Sequence, residues 1–187
     1  MGIYETIIGR RTIRKFKQDK IDIGILERLI NAGRLAPSAA NLQPVRYKIV
    51  NDLNVVAKVN NCVKWAAYIN PEGNPKEHEC PTAYIVVLVD STIANKWADL
   101  DVGAAVQNIM LAAWEDGIGT CWMASIDRDN LREELKIPEV YMINTVIALG
   151  YAGESPVIQD EAESIKYFKD ENGVLHVPKR KIEDIII

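Results

Sequence analysis

Five side chains that can donate hydrogen bonds, four cationic and one hydroxyl, fall within six residues near the start of the chain: Arg10, Arg11, Thr12, Arg14 and Lys15. Guanidinium groups pair with phosphate oxygens through two parallel hydrogen bonds, so arginines gathered in this way suit a phosphate or another oxyanion. In an extended segment alternate side chains share a face, which puts Arg10, Thr12 and Arg14 on one side, aimed at one anion. The spacing alone is equally compatible with a solvated basic loop. Neither a GxxxxGK[ST] nor a GxGxxG pattern occurs, so the cluster is not the phosphate cradle of a P-loop or a Rossmann fold.

Three further clusters carry polar or backbone donors. In Pro37-Ser38-Ala39-Ala40-Asn41-Leu42-Gln43-Pro44 the small residues let a backbone approach a flat ligand, and Asn41 and Gln43 offer amides that both donate and accept, as a heterocycle edge requires. Read alone, this is a turn with polar decoration. In the stretch from Gly117 to Ser125 the glycines before Thr120-Cys121-Trp122 would expose backbone N–H groups; the simpler reading is a helix-to-strand turn with Trp122 in the core. Lys179-Arg180-Lys181 forms a second basic cluster, by itself a charged tail. The three cysteines, Cys62, Cys80 and Cys121, lie at no CxxC spacing, and with only two histidines the chain offers no zinc set; the expectation is three reduced thiols and no metal. No catalytic role is assigned to Cys121, which falls in a structural turn.

These clusters sit on a chain of 187 residues, 48% apolar and 26% charged, with net charge −4. That is the size and composition of one domain, residues 1–187, with a sizeable core. The acidic balance argues against a nucleic-acid partner and makes a local basic cluster more informative. The start of the chain does not read as a signal peptide and no apolar run is long enough to span a bilayer, so the expectation is a cytoplasmic protein without a membrane partner.

The elements that must position the clusters follow from periodicity and punctuation. Ile3 to Gly9 reads as a short helix. Asp22 can cap a helix from Ile23 to about Leu35. Arg10 to Phe16 is too basic and irregular for a core element. Arg46 to Val50 alternates as a strand, and a helix covers Leu53 to about Lys64. Asn70 to Pro81, with three prolines and a glycine, is expected to be a mobile surface loop. Tyr84 to Val89 is a continuous β-branched run, expected as a central buried strand. Trp97 to Asp116 reads as a long helix that is apolar nearly all round from Val102 to Trp114, which needs a second partner surface; a subunit interface is expected, with Gly103, Ala104 and Ala105 permitting close approach. Asp127 caps a helix through about Lys136, Asn144 to Ala152 is a second buried strand, and Asn172-Gly173 marks a turn. The order does not alternate as a doubly wound sheet would, so the class is α+β.

Taken together and in this order, Arg-Arg-Thr-Ile-Arg-Lys-Phe, Ala-Pro-Ser-Ala-Ala-Asn-Leu-Gln-Pro, Gly-Ile-Gly-Thr-Cys-Trp, Ala-Leu-Gly-Tyr-Ala-Gly and the basic tail resemble the nitroreductase family of FMN flavoproteins, from about Ile3 to Lys181. The resemblance implies a nitroreductase-like α+β fold, a central, mostly antiparallel sheet flanked by helices, assembled as an intertwined homodimer with non-covalent FMN at the interface. It implies that Arg10, Arg11 and Thr12 hold the phosphate and ribityl chain, that Arg14 reaches the pyrimidine edge, and that Pro37, Ser38, Ala39, Asn41 and Gln43 come from the partner subunit. Backbone amides near Ala124 and Ser125 would face flavin N5 and O4, and Lys179, Arg180 and Lys181 would supply further phosphate contacts. Ala39 stands where relatives often have a second serine, and Ala124-Ser125 where some have Glu-Gly. The implied activity is ping-pong transfer of hydride from NADH or NADPH through the flavin to a small-molecule electron acceptor such as a nitroaromatic or a quinone, under a lid built from Asn70 to Pro81 with Trp65 and Tyr68. A reductive dehalogenase of iodotyrosine type, the flavin-fragmenting enzyme of cobalamin lower-ligand synthesis, a flavin-binding protein without turnover and a flavin-free anion-binding module remain as alternatives.

Overall fold

The computed structural model describes residues 2–161 and 164–187. Its centre is a four-stranded antiparallel sheet of β1 (Val45–Val50), β2 (Ala83–Asp90), β3 (Ile118–Met123) and β4 (Tyr141–Tyr151) in the order β1-β2-β4-β3. Five helices accompany it: α1 (Ile3–Gly9), α2 (Ile23–Arg34), α3 (Leu53–Asn61), α4 (Ala98–Glu115) and α5 (Arg128–Leu135).

Strand β2 explains the layering. Its side chains alternate between two separate cores, Tyr84, Val86 and Leu88 on one face and Ile85, Val87 and Val89 on the other. The first core takes Val56 and Val59 of α3 and Leu131 and Leu135 of α5; the second takes Leu26 and Leu29 of α2 and Val102, Val106 and Ile109 of α4. A strand covered on both faces needs apolar residues at every position, which is why its sequence runs without alternation. The expected α+β class and flanked antiparallel sheet are present, and every pairing within this sheet is antiparallel.

Local signals place the helix starts. Asp22 accepts from the Gly24 N–H, Asp52 from the Asn54 and Val55 N–H groups, and Asp127 from the Asn130 N–H, each satisfying donors that the first turn leaves free. Helix α3 stops at Asn61, short of the expected Lys64, because the next residues pair with the chain after β3: the Lys64 N–H donates to the Ser125 carbonyl and the Asp127 N–H to the Cys62 carbonyl.

Three expectations need correction. Arg10 to Phe16 does enter the core: Ile13 and Phe16 are buried, and the extended segment bridges Thr12 to Thr120 and Phe16 to Ala152. The space comes from distant glycines, since a Cβ on Gly119 would lie 2.8 Å from Ile13 and one on Gly150 2.8 Å from Phe16. Second, Trp122 is not a core residue; it is 45% exposed. Third, the C-terminal region holds an unanticipated three-stranded sheet, β5 (Val157–Asp160), β6 (Phe168–Lys169) and β7 (Leu175–Lys179), in the order β5-β7-β6 with β5 parallel to β7. The turn expected at Asn172-Gly173 joins β6 to β7, with Gly173 in the left-handed region.

Candidate flavin site

Arg10, Arg11, Thr12 and Arg14 line one small cleft of about 80 Å³ with Ile158, Tyr167, Val177 and Lys179. The first basic cluster and one residue of the second thus converge although Lys179 lies 165 positions beyond Arg14 in sequence. Arg180 and Lys181 are exposed and do not line it. No carboxylate lines the cleft, and the ion pairs of the described residues involve none of Arg10, Arg11, Arg14 or Lys179. Burial, and after it the adjacent Arg11, pull the Arg10 guanidinium below its ordinary range; burial does the same to Arg11. Clustered, partly desolvated cations without a counter-charge fit a bound dianion such as a phosphate monoester.

The backbone of this segment is fixed from two sides. The Ile13 N–H donates to the Thr120 carbonyl at 2.9 Å, and the Lys17 N–H to the Tyr151 carbonyl at 2.8 Å. Glu154, just beyond β4, accepts from the Arg14 N–H at 2.6 Å and the Lys15 N–H at 3.3 Å. Its carboxylate therefore meets the arginine backbone and leaves the guanidinium free to face the cleft.

Arg14 also lines a second, larger cleft of about 410 Å³, with Lys64, Trp65, Ala66, Ala67, Asn70 and the run Cys121-Trp122-Met123-Ala124-Ser125. Ala124 and Ser125 follow the end of β3, and among the described residues neither N–H has a hydrogen-bond acceptor. The indole N–H of Trp65 is buried and likewise unpartnered. Small side chains with free backbone donors suit the edge of a flat heterocycle, and Arg14 joins this cleft to the anion cleft. Cys121 lines the wall, but burial pushes its thiol up to about 11, so it stays protonated at neutral pH and is a poor nucleophile.

The Pro37–Pro44 segment stands apart. Pro37, Ser38 and Gln43 line a third cleft of about 150 Å³ with Tyr47, Asp101 and Ala105, and share it with no residue of the other two. Ala39 meets the site through its backbone, and Asn41 is exposed and lines none of the three clefts. Ala40, Asn41 and Gln43 all have φ between 52° and 54°. Left-handed backbone at a non-glycine residue costs about 1–2 kcal/mol, and Asn tolerates it best. Asp101, a buried carboxylate at the start of α4, holds the loop in this shape: it accepts from the Ser38 hydroxyl at 2.6 Å and the Ala39 N–H at 2.9 Å, while the Gln43 N–H donates to the Ser38 oxygen at 2.9 Å. The Tyr47 hydroxyl behind the loop is buried without a partner, and burial raises it to about 12.

Asp101, Glu154 and Tyr167 were not anticipated from the sequence. Asp101 left a trace, as a carboxylate in the first turn of an otherwise apolar helix. Glu154 and Tyr167 left none, since their partners are remote. The expected loop from Asn70 to Pro81 also divides. Its second half is pinned, with the Phe16 N–H donating to the Glu79 carbonyl, Lys15 paired with Glu79 at 3.0 Å and the Gln18 amide donating to the Cys80 carbonyl. Of the first half, Asn70 lines the larger cleft, together with Trp65, Ala66 and Ala67 before it.

Comparison with known proteins places the fold and the family. A protein of Archaeoglobus fulgidus, named as a candidate NADH dehydrogenase/NAD(P)H nitroreductase, is 33% identical over 152 residues, covering 78% of this chain and 82% of its own. The crystal structure of a Parabacteroides distasonis protein of the same name superimposes with a TM-score of 0.69 at 29% identity, covering 89% of this chain and 93% of its own. An FMN-dependent nitroreductase of Clostridium difficile superimposes with a TM-score of 0.67 at 25% identity, covering 86% and 91%. The sequence profile of the nitroreductase family matches residues 7–151, a span that holds the whole central sheet and both the arginine cluster and the Pro37 loop, and the chain belongs to that family.

Proposed function

We propose that this protein is an FMN-dependent oxidoreductase that takes electrons from NADH or NADPH and reduces a small organic acceptor, such as a nitroaromatic or a quinone, as a homodimer. The observation that carries the reading is the uncompensated cationic cleft of Arg10, Arg11, Thr12, Arg14 and Lys179, continuous through Arg14 with a cleft of free backbone donors. FMN held across the two supplies two-electron transfer between nicotinamide and acceptor, chemistry that no side chain here provides.

The residues then have separable tasks. Arg10, Arg11, Thr12 and Lys179 hold the phosphate. Arg14 sets a permanent positive charge at the junction, where it favours any state of the ring that carries added negative charge. The Ala124 and Ser125 N–H groups orient the opposite edge. The 66–74 segment and Trp65 restrict water and shape what can enter. The Pro37–Pro44 loop, placed by Asp101 in a cleft of its own, serves the flavin of the partner protomer. The homodimer is supported by α4, where Gly103 has open space around it and Leu100 is 66% exposed.

The test starts with the absorption spectrum of the purified protein and identification of what acid releases. An FMN spectrum, bleached anaerobically by NADH or NADPH and restored by a quinone, is the expected result. A flavin that no reduced nicotinamide bleaches would leave a flavin-binding protein or one with another donor. A colourless protein that takes up no FMN would refute the cofactor and the function together.

A further inference from the structure

The C-terminal sheet begins beyond residue 151, where the family match ends, yet it reaches into the site. Tyr167, immediately before β6, presents its ring to the Arg14 guanidinium, whose central carbon lies 4.9 Å from the ring centroid. The same ring packs on Tyr68 with centroids 4.9 Å apart, and its hydroxyl accepts from the Tyr68 N–H at 3.5 Å. Two residues on, the Lys169 ammonium donates to the Glu72 carbonyl at 2.8 Å. One short stretch therefore touches both the cation shared by the two clefts and the 66–74 segment, whose Ala66, Ala67 and Asn70 line the larger one.

That segment has little else to hold it. Of residues 66–74 only Gly73 is buried, and Ala66 is strained at φ 28°, ψ 66°. Before it, the Trp65 indole N–H has no acceptor. Segments with few buried contacts open at low cost, so the outside ties from Tyr167, Lys169 and the Lys166 ammonium, 5.8 Å from the Tyr68 ring centroid, set how often this one opens.

We propose that Tyr167 is a positioning residue that couples the 66–74 lid to Arg14, so that FMN binding orders the lid and the lid in turn retains FMN. This rests on the flavin reading above. Arg14 held by a bound cofactor offers Tyr167 a fixed cation, Tyr167 offers Tyr68 a fixed ring, and by linkage the lid strengthens FMN binding by the same factor that FMN stabilises the closed lid.

Amide hydrogen exchange of the holoenzyme and the ligand-free protein tests the coupling, with wild type, Tyr167→Leu and Tyr167→Phe each saturated with FMN. In wild type FMN should slow exchange of 66–74 by about tenfold. Tyr167→Leu should lose that effect while keeping protection at 10–14 and at the core strand 84–89. Tyr167→Phe, which keeps the ring face, should retain most of it. Quenching of flavin fluorescence should report a Kd about five- to tenfold higher in Tyr167→Leu. Equal lid protection in wild type and Tyr167→Leu, or FMN bound with no slowing of the lid in wild type, would overturn the proposal. Should wild type take up no FMN, the cofactor reading falls, and the ligand-free proteins decide the tie: Tyr167→Leu must then speed exchange of 66–74 severalfold with 84–89 unchanged, and equal rates refute it.

Discussion

Arg10 and Ala40 show how single positions trade stability against the site. Arg10 contributes a charge-assisted donor to the anion cleft while sitting half-buried beside Arg11. Removing such a donor costs about 1.5–3 kcal/mol, so Arg10→Gln should raise the Kd for FMN by roughly ten- to a hundredfold in a fluorescence titration. Ala40 holds φ 52° with no glycine to ease it. Relief of about 1–2 kcal/mol of strain outweighs the roughly 0.5–1 kcal/mol that glycine loses on ordering. Ala40→Gly should therefore stabilise the protein by about half to one kcal/mol, a rise of about 1–4 °C in Tm for a chain of this size. Lys136→Gly, at φ 51° where α5 ends, should do the same away from the site, which makes it the control. Flavin affinity separates the two: a loosened Pro37 loop should weaken FMN binding in the first variant and leave it unchanged in the second.

Elements were legible where their causes are local. The aspartate caps at Asp22 and Asp127, the alternation of β1 and the unbroken apolar run of β2 each sit within a few residues of what they determine, and the structure follows them. The C-terminal sheet was not legible because it lacks such causes: β5 is exposed throughout, β6 is two residues long and β7 contains Pro178. Arg10 to Phe16 misled because its burial is decided by Gly119 and Gly150, over a hundred residues away. Within the site, the arginine cluster was visible as a composition anomaly, whereas Asp101's hold on Ser38 crosses 63 residues and could not be seen. The 77–81 stretch, expected to be mobile, is anchored by Glu79. Although burial opposes it, the Lys76 N–H and Lys15 hold the Glu79 carboxyl below its usual range. A carboxyl with a depressed native pKa stabilises above its unfolded pKa and loses that contribution as pH falls through the native value. The Tm difference between wild type and Glu79→Gln should thus be full at neutral pH and shrink below about pH 4.3, the ordinary glutamate value. A difference that persisted unchanged into acid would mean the carboxylate charge is not what anchors the segment.

For the whole molecule the deciding surface is α4. One side fills the core with Val102, Val106, Ile109 and Ala113, all buried. The other side carries Leu100, which is exposed, and Gly103, Ala104 and Leu111, which the described residues only partly cover. Apart from its own helical turn, no described atom lies within 4 Å of where a Cβ on Gly103 would stand, so a large side chain there is expected to fit the isolated chain and to block a second one. If the proposed homodimer is right, Gly103→Phe should leave the circular dichroism spectrum unchanged, sediment as a monomer and lose FMN, since in that arrangement the Pro37 loop serves a neighbouring flavin. A variant that remains dimeric and yellow would place the subunit contact elsewhere.

The unpaired cations of the anion cleft make the ligand-free protein behave like a compressed spring. Four like charges held together without a counterion repel, and dissolved salt weakens repulsion between exposed charges over a Debye length of about 10 Å at 0.1 M. The empty protein should therefore melt at a higher temperature as ionic strength rises, and more so in phosphate than in chloride, while the FMN-loaded protein, its cluster half neutralised by the phosphate dianion, responds less. On the proposed function the choice of storage buffer then becomes a gauge of loading: the weaker the rise of the melting point with phosphate, the larger the share of the preparation that carries FMN.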